Sequence, residues 1–160
     1  MLLHLLRHAH AGDPEAWDGP DASRPLSEKG RAQAQRLGEF LAGIAFKTDA
    51  VITSPRLRAA QTAEIVAGHL GVAVREDDRL AGSLDLEVLE ALLGGAEGPD
   101  RPTLVGHDPD FSELLSLLCD AGDVPMRKGA LAKIEVDRPL KAGGGTLRWL
   151  IPPDALRPDR

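Results

Sequence analysis

The sequence predicts an α/β sandwich with a mostly parallel central sheet. Short apolar segments of strand length alternate along the 160 residues with segments of helical periodicity. This alternation is typical of parallel sheets built from β-α-β units. No internal repeat and no long linker divides the chain. We therefore expect a single domain over residues 1–151, followed by a loosely ordered, Pro- and Asp-rich tail over residues 152–160.

The first strand is predicted at the amino terminus, where five of the first six residues are apolar and no proline interrupts them. Further strands are expected at 49–54, 72–74, 102–106, 130–136 and 146–151. The first helix should follow Ser27, a residue suited to the N-cap, with Glu28 in its first turn. The other helices are expected from Pro55 to Gly68 or Gly71, over 84–93 and over about 109–119.

Composition and charge limit the possible partners. The formal net charge is −6, which argues against a broad surface for nucleic acid or anionic membrane, so any anion site must be a local cluster of cations. The single cysteine, Cys119, excludes an intrachain disulfide and fits a reducing compartment. The first residues lack the features of a signal peptide, and no segment has the length of a membrane span. A cytoplasmic protein is expected.

Residues suited to phosphate chemistry follow three of the predicted strands. Arg7 and His8 end the first strand, Arg58 lies in the first turns of the helix after the second, and His107 follows the fourth. Each alone is more simply explained as a surface or capping residue. Parallel strands, however, bring their carboxyl ends to one edge of the sheet, where ligands bind. Arginine is a bidentate donor to phosphate oxygens, and histidine can attack phosphorus or carry a proton.

The order and spacing of these blocks resemble the histidine phosphatase superfamily, which includes phosphoglycerate mutases and many phosphatases. The resemblance extends from Leu2 to about Leu118 and is carried by Arg7-His8, Ser54-Pro-x-x-Arg58-Ala-x-x-Thr62 and Gly106-His107. The short chain and the block Arg24-Pro25-Leu26-Ser27-x-x-Gly30 are similar to the SixA-type phosphohistidine phosphatases. The resemblance implies a three-layer α/β/α sandwich of the phosphoglycerate mutase type.

The resemblance also implies roles for the site residues. His8 would be the nucleophile, forming a phosphohistidine intermediate that water then cleaves, and its other ring nitrogen should donate to a backbone carbonyl. Arg7 and Arg58 would bind the equatorial phosphate oxygens, with a protonated His107 as a third donor and Arg24 as a weaker fourth candidate. No metal and no cofactor are required. Ala9 stands where the family's motif has glycine, and its methyl group is expected to narrow the substrates without abolishing the chemistry.

The proton donor to the leaving group is left open by the sequence. Larger members of the superfamily use an acid from the middle of the chain, and the candidates here are Glu76, Asp77, Asp78 and Asp85, which could equally be solvated helix caps. SixA-like enzymes lack this acid, since a phosphohistidine can release a neutral imidazole whereas an alkoxide must be protonated. We therefore expect a phosphorylated substrate, and the resemblance to the family implies a phosphohistidine-bearing protein. The alternative is a small-molecule phosphomonoester.

Two other classes of protein compete with this interpretation. In a metallohydrolase, the metal ligands would come from His8, His10, Asp13, His107 and Asp108. Against this interpretation, Arg7 and Arg58 would place positive charge beside the metal cation. A non-catalytic phosphate-binding module would have no need of a nucleophile. The loop 12–25 and the segment 76–86 are expected to shape specificity. His10 either lines the mouth of the pocket or faces water, and the sequence does not indicate an oligomeric state.

Overall fold

The protein, described here over residues 1–158 of a computed structural model, is built on a six-stranded sheet. Along the chain its strands are β1 (Leu2–Arg7), β2 (Ala50–Thr53), β3 (Val74–Glu76), β4 (Pro102–Gly106), β5 (Leu131–Val136) and β6 (Gly145–Ile151). The spatial order is β3-β2-β4-β1-β5-β6. The first four strands of this order pair in parallel, and β5 and β6 add antiparallel. The predicted mostly parallel sheet is confirmed.

Four α-helices join the strands: α1 (Glu28–Gly43), α2 (Leu57–Leu70), α3 (Leu86–Leu92) and α4 (Asp110–Leu118). Ser27 caps α1, because its side-chain oxygen accepts a hydrogen bond from the Gly30 amide. The second helix begins two residues after Pro55. The third begins at Leu86 rather than at residue 84, because Asp85 caps it by accepting a hydrogen bond from the Val88 amide. No helix within residues 1–158 is long and apolar enough to cross a membrane.

The helices cover both faces of the sheet and produce two apolar clusters. One cluster joins Leu3 and Leu5 of β1 to residues of α3 and α4, and the other joins Leu6 to residues of α1 and α2. Because successive side chains of a strand point to opposite faces, β1 contributes to both clusters. The expected three-layer α/β/α sandwich is thereby confirmed.

The segment after β6 makes defined contacts where a loosely ordered tail was expected. Residues Pro153–Leu156 form a 3₁₀ turn in which Pro153 is buried, and Leu156 packs against the cluster formed by α1 and α2. Apolar side chains within this polar stretch account for the packing. Asp159 and Arg160, which also belong to the predicted tail, lie outside the described residues.

Candidate active site

The loops that follow β1, β2 and β3 are fixed by backbone hydrogen bonds continuing the sheet beyond its strands. The His8 amide donates to Gly106 O, the Ser54 amide to Val105 O and the Asp77 amide to Thr53 O, each at 2.9 Å. These bonds place the predicted site residues at the carboxyl edge of the parallel strands. The backbone at the candidate site is therefore held in place by the hydrogen bonds of the sheet.

His8 is oriented by its own local backbone. Its side chain is 6% exposed, and Nδ1 lies 2.8 Å from the carbonyl oxygen of Ala9. A carbonyl can only accept, so Nδ1 carries the proton and Nε2 keeps a free lone pair. Burial, reinforced by the nearby charges of Arg58 and Arg7, lowers the pKa of His8 to about 3. The ring is therefore neutral at physiological pH, as a nucleophile must be.

The ring of His107 faces that of His8, with 5.3 Å between the ring centroids. Its Nε2 lies 2.7 Å from Ser54 Oγ, which also accepts a hydrogen bond from the Arg56 amide. Burial and the charge of Arg58 lower the pKa of His107 to about 4, so with protein groups alone around it the ring is neutral. The protonated His107 expected from the sequence thus requires the negative charge of a bound phosphate to offset this shift.

Arg58 and Arg24 meet at a residue that the sequence did not single out, Asp21. Arg58 Nη2 donates to Asp21 Oδ2 at 3.0 Å and Nη1 to the Asp21 carbonyl at 3.0 Å, while Arg24 Nε donates to Oδ1 at 3.2 Å. Arg56 approaches the same carboxylate at 3.6 Å. Both Arg58 and Arg24 are buried, whereas the Asp21 side chain is 52% exposed. Although partial desolvation opposes it, hydrogen bonding from Arg24 and Arg58 lowers the pKa of Asp21.

Arg7 is held from the other side of the site. Its Nη1 donates to the Met126 carbonyl at 2.7 Å and lies 3.3 Å from Asp108 Oδ2. The Asp108 carboxylate is itself fixed by two hydrogen bonds from Ser112 at the start of α4. Asp108 therefore orients Arg7. Because Asp108 follows His107 in the sequence, it could have been predicted to lie near the site. Nε of Arg7 and Nε of Arg58 are buried without a hydrogen-bond partner in residues 1–158.

Three further residues support the site, and they differ in how far the sequence indicates them. Ser54 and Thr62 belong to the block around Arg58, but no role was assigned to them. Thr62 Oγ1 accepts from the Ala9 amide at 3.1 Å and thereby ties α2 to the residue after His8. Asp21 could have been found only through its spacing of three residues from Arg24. Ala9 itself is fully buried, so its methyl group packs inside the protein.

The mid-chain acids are engaged elsewhere or face solvent. Asp77 accepts from Arg79 at 2.6 Å, which lowers the pKa of its carboxyl group, and Asp85 caps α3 through the Val88 amide. Glu76 and Asp78 are exposed. Within the described part of the chain, none of these four carboxylates makes a hydrogen bond to His8 or His107.

The residues considered for a metal site do not converge. His10 Nδ1 pairs with Ser27 Oγ at 2.6 Å, and the Asp108 carboxylate pairs with Arg7 and Ser112. Among residues 1–158, no group of three or more His, Cys, Asp or Glu side chains has a geometry that could hold a metal ion.

The fold and this arrangement of arginines and histidines define a phosphate-handling enzyme of known type. The sequence profile of the histidine phosphatase superfamily (branch 1) matches residues 3–92, and the chain belongs to this superfamily of phosphatases. It is 28% identical over 162 residues to the phosphohistidine phosphatase SixA of Escherichia coli, an alignment that covers 98% of this chain and 97% of that protein.

Solved structures show the same relationship. The protein histidine phosphatase SixA complexed with tungstate superimposes with a TM-score of 0.83 at 27% identity, covering 98% of this chain and all of the other. The alpha-ribazole phosphatase of Shigella flexneri gives a TM-score of 0.72 at 20% identity over 94% of this chain and 96% of the other, and it shows the fold alone. The predicted family and its phosphoglycerate mutase-like fold are thus confirmed.

Proposed function

We propose that the protein is a phosphohistidine phosphatase that removes the phosphoryl group from histidine side chains of proteins through a covalent intermediate on His8. The observation that carries the catalytic part is the hydrogen bond from His8 Nδ1 to the Ala9 carbonyl, which leaves the Nε2 lone pair available. The full-length similarity to phosphohistidine phosphatase SixA of E. coli supports the substrate class.

In the first step, His8 Nε2 attacks phosphorus in line with the bond to the leaving group. The new N–P bond forms as the bond to the substrate imidazole breaks, and the electron pair of that bond stays on the imidazole nitrogen. The other ring nitrogen of the substrate already carries a proton, so the leaving group is neutral imidazole. Arg7 and Arg58 stabilise the equatorial oxygens, and His107 becomes a third donor once the phosphate raises its pKa. Arg24 is the weaker candidate, because its Nε donates to Asp21 and its Nη1 to the Ala11 carbonyl at 2.9 Å, whereas Nε of Arg58 has no hydrogen-bond partner within residues 1–158.

In the second step, a water molecule attacks the phosphorus of the intermediate. The O–P bond forms as the Nε2–P bond breaks, the electron pair returns to Nε2, and the water proton passes to the phosphate that leaves. Both steps are assigned to side chains alone, so we propose a metal-independent reaction. It requires no acid near the leaving group when that group is imidazole, which agrees with the engagement of the Asp77 carboxylate by Arg79 and of the Asp85 carboxylate by the Val88 amide.

The test is phosphate release in EDTA from a phosphohistidine peptide and, in parallel, from an alkyl phosphate. We expect rapid release from the peptide alone, and a loss of about a thousandfold or more in His8→Ala. His69→Ala is the matched control, because His69 is an exposed histidine on α2 that pairs with Gln35. Full activity in His8→Ala would refute the nucleophile, and lasting inactivation by EDTA would refute metal independence.

A small-molecule phosphomonoester is the second candidate substrate. It is favoured by one observation, the position of Asp77 at the carboxyl edge, where its amide bonds to Thr53 O. Release of its carboxylate from Arg79 would provide an acid near the site. Comparable release from the alkyl phosphate, lost in Asp77→Asn, would support this alternative.

A further inference from the structure

A groove lined by cations leads away from the phosphate site. It has a volume of about 260 Å³ and begins at Arg7, directly before His8. Its other basic residues come from separate parts of the chain: His10 after β1, Lys29 in the first turn of α1, and Arg127 and Lys128 before β5. We call these four residues, with Arg7, the cationic groove. In a protein of net charge −6, such a concentration of positive charge is local.

Apart from Arg7, which pairs with Asp108, the basic residues of this groove lack the ion pairs found elsewhere in the site. Asp21 pairs with Arg24 and Arg58, whereas none of the ion pairs within residues 1–158 includes Lys29, Arg127 or Lys128. One carboxylate, Asp154, also lines the groove, and it lies 3.6 Å from Arg157.

The basic side chains are also close enough to destabilise one another's charge. Burial lowers the pKa of Lys128, and the charges of Arg7, Arg24, Arg58 and Lys29 lower it further. The pKa of His10 is likewise lowered by burial, Lys29 and Lys128. Such mutual repulsion is relieved when an anion enters, which is the electrostatic signature of a binding site.

We infer that the cationic groove binds a second anionic group of the substrate while the first, the phosphoryl group, lies at His8. This rests on the proposed function and narrows its substrate to molecules with two anionic groups a few bonds apart. The second group could be an acidic side chain next to a phosphohistidine in a protein, or a second phosphate of a small molecule. Both present the same chemistry to Lys29 and Lys128.

Binding without turnover tests the groove directly. We would measure by calorimetry the affinities of methylphosphonate, with one anionic group, and of bisphosphonates with one, three or five methylene spacers. The wild type should bind at least one bisphosphonate about tenfold or more tightly than methylphosphonate, since the second phosphonate forms close charge pairs with Lys29 and Lys128. The double variant Lys29→Gln/Lys128→Gln should lose this preference while its affinity for methylphosphonate changes little.

The matched control is Lys47→Gln/Lys141→Gln, which removes the same charge from exposed residues at the opposite edge of the sheet. It should keep the preference for the bisphosphonate. Equal weakening of both ligands in the groove variant, or an unchanged preference, would overturn the inference. Both groove lysines lie on the surface, and the retained methylphosphonate binding reports that the variant is folded.

Hydrolysis then distinguishes the two sources of the second anion. Phosphohistidine peptides with Glu or Gln beside the histidine are compared in the wild type and the groove variant. A KM that rises several-fold for the Glu peptide alone assigns the groove to an acidic protein. A bisphosphonate preference with no difference between peptides assigns it to a small molecule. If the wild type hydrolyses neither peptide but prefers the bisphosphonate, the proposed function fails and the groove stands.

Discussion

Replacing Gly30 by alanine should destabilise the protein, because the start of α1 lies directly on the chain that follows His8. A Cβ at residue 30 would lie 1.9 Å from the carbonyl oxygen of His10 and 2.8 Å from its carbonyl carbon, although real Cβ atoms keep at least about 3.0 Å away. That oxygen also accepts hydrogen bonds from the amide and the hydroxyl of Ser27, at 3.0 and 3.1 Å. The clash is with backbone, so no flexible side chain can move aside.

The size of the effect follows from two opposing contributions. Overpacking costs about 1–3 kcal/mol or more, and the two hydrogen bonds to His10 O are strained as well. Against this, alanine gains about 0.5–1 kcal/mol over glycine within a helix. We expect a net loss of about 2 kcal/mol in the free energy of unfolding, which lowers Tm by roughly 4–8 °C for a chain of this length.

The assay is urea or thermal unfolding of Gly30→Ala beside Gly68→Ala. Gly68 is exposed on α2 and a Cβ there would meet nothing within 4 Å, so this variant should gain about 0.5–1 kcal/mol. Displacement of His10 should also lower the rate of phosphate release in Gly30→Ala. If both variants are equally stable, the close packing of α1 on His10 is refuted.

Three further predictions concern charge and catalysis. His4 is buried against Phe46, and burial lowers its pKa to about 3, so the unfolded chain takes up a proton first and stability falls as the pH drops from 6.5 toward 3. His4→Gln should reduce this loss of stability by about 1–2 kcal/mol between pH 6.5 and 5, as measured by urea unfolding. An unchanged pH dependence would contradict this prediction. Asp21→Asn should tighten the binding of inorganic phosphate about three- to tenfold in calorimetry, because the amide oxygen can still accept from Arg58 while the repelling charge is gone; weaker binding would show that the charge is needed. His8→Ala should still bind phosphate through Arg7 and Arg58, and loss of this binding would mean that His8 also shapes the pocket.

The fold was predictable where burial leaves a strong pattern in the sequence. The strands β1, β2 and β4 are buried on both faces and appear as continuous apolar runs, so their positions were predicted closely. The edge strand β3 is mostly exposed and only its first residue is apolar, so the prediction of 72–74 lay two residues too early and overlaps the strand only at Val74. The segment after β6 was expected to be loosely ordered because it is rich in proline, but proline also suits the 3₁₀ turn that the segment forms.

The site was predictable only as far as its residues follow strands. Arg7 ends β1 and His8 follows it, His107 follows β4, and Arg58 lies in the first turn of α2 after β2. The parallel sheet brings these ends together. The role of Asp21 depends on three arginines that approach from two loops, and the groove depends on Lys29 and Lys128, which are almost a hundred residues apart. Such convergence is a property of tertiary packing and leaves no local pattern.

The backbone bonds that extend the sheet past β1 and β2 have a consequence for how the protein moves. The amide protons of His8 and Ser54 are locked into the ladder, so they should exchange with solvent only when the sheet itself opens. Residues 13–23, by contrast, are exposed and contain only two short 3₁₀ turns. Asp21, near the end of this loop, accepts hydrogen bonds from Arg58 and Arg24, so the loop can move away from the site only when these bonds break. Access to the site and the position of the nucleophile therefore depend on different contacts: access depends on the ion pairs of Asp21, and the position of His8 depends on the hydrogen bonds of the sheet.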